Sequence, residues 1–308
     1  MGKFLLFQVV IFGIVGCGIT VPADGTVAEP FWLSDARSGD AFGDAGSADA
    51  GSLDSAVAPG TDEMLPGSEV TATVGTPGGP SSSYYAMWQQ TRVLSHNPAP
   101  FGDEWQVSRT TTIGLVRMDW LGNNGQAWIA PCAVHTNEVA SSQLTYPSSF
   151  INALTEGPFA VKRDATTITQ PGKTQWVGTQ KGYEGDMPSV GDGNHPALSD
   201  DDADGHPGVT IYINMPFFGD QAIYVAERAK SSWIAHAQPD GTFVALPQTV
   251  GVKVTVGATE SILVAPTNDK ELPGEAPEEL RLTPTTAETG CAALLAAPDL
   301  YTNMSWPP

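Results

Sequence analysis

Residues 250–256 read Val250-Gly251-Val252-Lys253-Val254-Thr255-Val256. Valine at every second position is the clearest period-2 signal in the chain, and β-branched residues at that spacing specify a strand. Working outward, Pro239-Asp240-Gly241 separates runs at 233–237 and 242–246 and reads as a hairpin turn. The longest run, 105–120, sets Val116, Met118 and Trp120 on one face and Arg117 and Asp119 on the other. Leu121-Gly122-Asn123-Asn124-Gly125 then turns the chain into 126–134, where Trp128, Ala130, Cys132 and Val134 share a side. Further strands are expected at 87–94, 159–163, 166–170, 175–179, 209–215, 221–228 and 262–265. Pro171-Gly172 and Phe218-Gly219-Asp220 supply turns between them. One short helix is expected at 148–154, opened by Ser148, and a long polar loop at 181–207. Many sequential strands joined by short turns predict an all-β fold, an antiparallel meander of about eight to ten strands. It either closes as a full or partly open barrel or folds as a sandwich.

The chain has 308 residues, but its front does not read as part of that sheet. Met1-Gly2-Lys3 gives a basic start, Phe4 to Val15 is apolar apart from Gln8, and Gly16 precedes Cys17. This is the pattern of a secretory signal over residues 1–16. Residues 17–83 read as a tether. From Ser34 to Gly60, 22 of 27 residues are Ala, Gly, Ser or Asp, too little apolar mass to offset the entropy of ordering. The folded β domain is therefore expected over 84–308, ending in a Pro-rich tail.

Charge narrows the function. The formal net charge is −20, of which the stretch 18–83 carries −9 and the chain from Tyr84 onward −12. Such a surface repels phosphate backbones and excludes nucleic acid as a partner, while favouring divalent cations. Three cysteines are present, Cys17, Cys132 and Cys291. An exported domain would pair Cys132 with Cys291 in an oxidising compartment; the alternative is two buried thiols.

The sharpest local motif is Asp200-Asp201-Asp202-Ala203-Asp204-Gly205-His206-Pro207-Gly208. Asp200, Asp202 and Asp204 followed by Gly205 match positions 1, 3, 5 and 6 of looped calcium sites, where alternate carboxylates converge on a hard cation. His206 would add a backbone carbonyl, and Asp192, Asp186 or Glu184 would complete the shell. Position 12 is Ile211 instead of glutamate, so the loop is not an EF-hand. The alternative is a solvated acidic loop. The five histidines (His96, His135, His195, His206, His236) form no HExxH, and there is no GxSxG, Walker loop or GxGxxG, so no catalytic residue is assigned. Trp88, Trp120, Trp128, Tyr212, Tyr224 and Trp233 fall on expected strands. Facing one lumen they would hold a small apolar ligand; otherwise they fill the core.

Ile14-Val15-Gly16-Cys17 resembles the lipobox of bacterial lipoproteins, with Ile14 in place of the commoner Leu. The resemblance implies cleavage before Cys17, acylation of its thiol and anchoring to a membrane. An uncleaved apolar anchor over residues 4–21 is the alternative. Gly18 after the lipidated cysteine resembles the sorting pattern for the outer membrane. The domain resembles a group of uncharacterised bacterial surface lipoproteins with a Trp-bearing first strand, a Cys in an early strand, a D-x-D-x-D-G-x-P-G segment and a late Arg-Leu…Cys ending. Here these are Trp88, Cys132, Asp200 to Gly208, and Arg281-Leu282 with Cys291. It is similar, more distantly, to lipocalin or calycin barrels: Ala86-Met87-Trp88 stands where they carry Gly-x-Trp, though no later Thr-Asp-Tyr follows. The implied functions are a non-enzymatic, membrane-anchored envelope protein with a structural calcium loop and an unknown protein partner, or a carrier of a small apolar ligand, or less readily a secreted hydrolase.

Overall fold

A computed structural model describes residues 81–96, 105–137, 142–215, 219–264, 269–270, 272–273 and 276–297. The leader, Cys17, nearly all of the tether and the last eleven residues lie outside these, so the readings made for them are not addressed by the fold.

The alternating runs pair with their neighbours in chain order. β1 (Ser82–His96), β2 (Trp105–Leu121) and β3 (Asn124–Thr136) form an antiparallel meander. The β2–β3 hairpin closes at Leu121↔Asn124, and Gly122 supplies the positive φ of 63° that so short a connection needs. β4 (Gln143–Thr145), α1 (Ser148–Ala153), β5 (Glu156–Arg163) and β6 (Thr167–Val177) follow. After a long loop come β7 (Val209–Met215), β8 (Gly219–Ala237), β9 (Phe243–Ala245) and β10 (Gln248–Ala258). A 3-10 turn (Ser261–Leu263), β11 (Asp269–Lys270), β12 (Glu278–Thr285) and α2 (Cys291–Leu295) complete the described chain.

The fold is antiparallel β throughout, and its sheet closes on itself. Pairings run β1-β2-β3-β5-β6-β8-β9-β12 and back to β1, a ring of eight strands in chain order. One sheet with a closed circuit of pairings is thus formed, and closure removes most free edges. β7 and β10 flank the two edges of β8, β4 extends β7, and β11 extends β1. Among the described residues there are twelve strands where eight to ten were expected; β4, β9 and β11 are only two or three residues long. α2 is a second helix, beyond the one expected.

Several local expectations change, and where a strand was expected at 262–265 the chain makes the 3-10 turn Ser261–Leu263 instead. Pro171-Gly172 does not separate two strands but makes a bulge inside β6, where the register shifts between Gln170 and Lys173. The expected strands at 221–228 and 233–237 are one 19-residue strand, β8. A bulge in β3 also separates Cys132 from Val134: Cys132 packs outside with Leu115, Cys291 and Leu294, while Val134 packs inside. In β10 the alternation is real, but Val250 and Val252 face outward, 45% and 48% exposed.

Inside the ring the side chains fall into three tiers. Tyr85, Met87, Val116, Met118, Trp233 and Leu282 belong to an apolar core at one end. Val93, Val177, Ile211, Ile223 and Val225 form another at the opposite end, with α1 inserting Phe150 and Ile151. Between them β1, β6 and β8 change character. Gln89 and Thr91 of β1 lie between Met87 and Val93, and Ser231 and Glu227 of β8 lie between Trp233 and Val225. In β6, Lys173 and Gln175 separate Ile168 from Val177.

Candidate functional site

The outer acidic loop connects β6 to β7. Its base is tied down by bridges Thr179↔Leu198 and Asp200↔Gly208, and by Asp201, whose carboxylate accepts from Gly178 N (2.6 Å) and Ser199 Oγ (2.6 Å). Asp201 therefore points away from its neighbours and anchors the loop. Gly208 (φ 98°) is required there, since a Cβ would meet Val225 O at 2.6 Å.

The other three aspartates converge. One carboxylate oxygen from each of Asp200, Asp202 and Asp204 lies within 4.8 Å of the other two. Asp200 accepts from Asp204 N (3.1 Å) and Gly205 N (2.9 Å), Asp204 accepts from His206 N (2.9 Å) and from the Thr210 hydroxyl, and Asp202 Oδ2 accepts from Thr210 N (2.7 Å). Asp202 Oδ1 is buried and has no partner. Burial pushes the Asp202 carboxyl upward, Thr210 N opposes it, and the charges of Asp204 and Asp200 add to the rise. A buried, unsatisfied oxygen between two further carboxylates is what a hard cation would relieve.

Neither the His206 ring nor the Asp192 carboxylate belongs to the group of three converging side chains. The His206 ring stacks on Tyr224 at 4.2 Å, with Nε2 3.3 Å from the tyrosine hydroxyl. Asp192 sits in a separate turn, donating from its backbone N to Ser189 O (3.0 Å).

The second polar region is the middle tier of the ring. Glu156 contacts Lys173 as an ion pair, and the Lys173 ammonium also sits 4.7 Å above the Phe159 ring. Glu278 accepts from Thr249 Oγ1 (2.7 Å) and from the Gln89 amide. Glu227 lies opposite Lys253 across the β8–β10 ladder, and beyond the tier Asp269 accepts from Ser95 Oγ (2.7 Å). Burial dominates their titration. It pulls Lys173 down to about 7 against the opposing charge of Glu278, and raises Glu227 to about 7 against the opposing charge of Lys253. Burial likewise raises Glu278 and Asp269 and lowers Lys253. A cavity of about 50 Å³ opens in this tier. Gln89, Glu156, Lys173, Ser231 and Glu278 line it together with Met87, Ile129, Leu280 and Trp233.

Of the six aromatics expected to share a lumen, Trp233 alone lines this cavity. Strand alternation distributes the others. Trp88 lies on the opposite face of β1 from Met87, and Trp128 is outside beneath the Arg117 guanidinium at 4.8 Å. Tyr212 is 43% exposed, and Tyr224 is on the outer face of β8. Trp120 faces inward but in the apolar end, capped by Arg163 at 4.5 Å. Cys132 and Cys291 form a disulfide that fixes α2 to the outer wall.

The molecule is thus an antiparallel eight-strand ring with a charged middle tier and an external acidic loop. Comparison with protein-family models, with curated proteins and with solved structures gave no match. Among the described residues no helix is long and apolar enough to cross a membrane.

The buried charges of the ring were not anticipated from the sequence. Their signal was there: Glu227 stands at an inward position between Val225 and Ala229, and Lys253 interrupts the valine run. A charge at such a position must find a partner across the sheet, or change its protonation.

Proposed function

We propose that this chain is an exported, lipid-anchored envelope protein without enzymatic activity, displaying its β ring on the acidic tether, with a structural Ca²⁺ held by Asp200, Asp202 and Asp204. The supporting observation is the disulfide. It takes up Cys132 and Cys291, both cysteines of the ring domain, and leaves Cys17, at the lipobox, outside the pair. Disulfides of this kind belong to oxidising compartments outside the cytosol. Gly18 favours the outer membrane as the address.

Calcium fits the loop by chemistry: three carboxylates, two oxygens already oriented by Thr210, and one buried oxygen lacking a partner. Its role is structural, because Thr210, the second residue of β7, joins the loop to the sheet. The carrier reading is weaker. A cavity of about 50 Å³ is far below the roughly 300–1,000 Å³ that drug-sized ligands occupy, and charged side chains line part of it.

Two measurements test the proposal. Radioactive palmitate fed to bacteria expressing the full chain should label it in the membrane fraction, and Cys17→Ser should lose the label. Label retained by that variant, or absent from the wild type, rejects the anchor. Thermal unfolding in rising Ca²⁺ should show a saturable upward shift, abolished by Asp202→Asn with Asp204→Asn; a flat wild-type response up to millimolar Ca²⁺ rejects the ion.

A further inference from the structure

The Pro171-Gly172 bulge of β6 decides what faces the cavity. Ile168 and Gln170 are buried inside the ring at even positions of the strand. The register shift between Gln170 and Lys173 turns the odd positions inward from there on, and Lys173, Gln175 and Val177 follow. Bulges that re-aim a side chain in this way are over-represented beside active sites. The side chain re-aimed here is a lysine, and it lines the cavity together with Glu156 and Glu278.

The charged groups that face Lys173 are Glu156 of β5, in contact with it, and Glu278 of β12. Ser231 of β8 stands opposite it on the ladder, and the Phe159 ring lies 4.7 Å from its nitrogen. The lysine side chain is only 13% exposed. Burial outweighs the opposing charge of Glu278 and holds the amine at about 7, so near neutral pH much of it is an unprotonated nucleophile.

We propose that the cavity is a covalent docking site in which the Lys173 amine forms an imine with a short aliphatic aldehyde. Glu156 takes a proton from the ammonium. The freed nitrogen lone pair attacks the carbonyl carbon, the C=O π pair moves to oxygen, and a proton passes from nitrogen to that oxygen. Glu156 returns its proton as the C–O bond breaks, releasing water and leaving an iminium. Ammonium and aldehyde thus become iminium and water, with one positive charge before and after and no oxidant or reductant. That conservation selects carbonyl chemistry, because an acylated or carboxylated lysine would leave Glu156 and Glu278 without the cation they face. Size selects a short chain: about 50 Å³ is space for roughly three water-sized groups. Met87, Ile129 and Leu280 offer that chain apolar contact.

This site is separate from the calcium loop and depends on neither that reading nor the anchor. The test treats the full chain at neutral pH with acetaldehyde and cyanoborohydride, which fixes an imine as an ethyl group that peptide mass spectrometry locates. An amine titrating near 7 is about half free there, against roughly one part in two thousand for an ordinary lysine. Lys173 should therefore be ethylated at least about tenfold faster than the exposed Lys162 and Lys181, and this lead should vanish in urea. Benzaldehyde, too large for the cavity, should give Lys173 no lead. Ser231→Leu, which fills the cavity from the neighbouring ladder position, should abolish the lead for acetaldehyde, with folding checked by circular dichroism. Acetaldehyde labelling of Lys173 no faster than that of the exposed lysines overturns the proposal. So does an equal lead with benzaldehyde, or one that survives in folded Ser231→Leu. Should that variant fail to fold, the two aldehydes compared on the wild type decide the matter.

Discussion

The protein gathers acidic groups in two places, and the two are built in opposite ways. The loop at 200–205 takes its carboxylates from alternate positions of one short segment and satisfies most of them with backbone N–H groups a few residues away. The middle tier takes single charges from strands spread around the sheet: Glu156 of β5, Lys173 of β6, Glu227 of β8, Lys253 of β10 and Glu278 of β12. The first cluster is nearly all local and exposed. The second exists only once the ring has closed, and its charges are buried. A local cluster tolerates loss of one member because water replaces it; a buried one does not.

The largest expected effect follows from that contrast. Lys253→Ala should leave Glu227 buried opposite no cation and cost about 3–5 kcal/mol in urea unfolding. Replacing both, as Lys253→Met with Glu227→Leu, should restore most of that loss, since a buried pair often exchanges for apolar side chains without penalty. If the double variant is as unstable as the single one, the two residues do not act as a pair.

Titration separates the regions next. Glu227 is raised from the ordinary glutamate value to about 7, so the native state holds its proton more tightly than the unfolded chain does. Stability from this group is present in acid and is lost as pH climbs from about 4.5 to 7, by about 3 kcal/mol. Lys173 is lowered to about 7, the opposite sense: its contribution is complete above the ordinary lysine range and is lost as pH falls towards 7. Together they predict a stability minimum near neutral pH. Glu227→Gln should flatten the acid limb and Lys173→Met the alkaline one, both read from urea midpoints across pH. An unchanged acid limb in Glu227→Gln would move the origin of that dependence elsewhere.

How much of this was legible depended on distance along the chain. The strand class came from local alternation, as in 250–256 and 116–120, because a side-chain period of two is a property of the backbone alone. The triad Asp200, Asp202 and Asp204 was legible for the same reason. Ring closure was not, since β9 joins β8 to β12 through three residues whose pattern is unremarkable. The facing of β10 was hidden too. Alternation declares two faces but not which one is inside, and Lys253 turns inward because Glu227 awaits it across the ladder. Bulges at Pro171-Gly172 and Cys132 hid the continuity of β6 and split the shared side expected for β3, as an extra residue shifts every later side chain.

The calcium loop should respond by a smaller amount, and with a reversal of sign. Asp202→Asn keeps an oxygen for Thr210 N while removing a charge that burial disfavours. With calcium chelated, the variant should match or exceed the wild type in stability. In calcium at a hundredfold above the dissociation constant, the wild type should gain about 2.7 kcal/mol and lead. Melting curves in chelator and in calcium give both numbers. A variant that is worse in both buffers points to a purely architectural aspartate.

The smallest effect tests whether the loop is shaped in advance of its ion. Ala203 and Gly205 both stand at positive φ, 58° and 87°, and the glycine has nothing within 4 Å of where a Cβ would lie. Gly205→Ala therefore meets no clash and should cost only the backbone penalty, about 1 kcal/mol. Ala203→Gly relieves a strained residue but frees the unfolded chain, so its net effect should be within about 0.5 kcal/mol of zero. These are stability differences measured in chelator. Should the turn be held chiefly by Asp200 accepting from the N–H groups of Asp204 and Gly205, then Asp200→Ala in the same buffer should cost more than either glycine change, because it removes both acceptors at once. The reverse ranking would mean that backbone preference, not the aspartate side chain, shapes the turn, and that Asp200 is spare for a cation from the start.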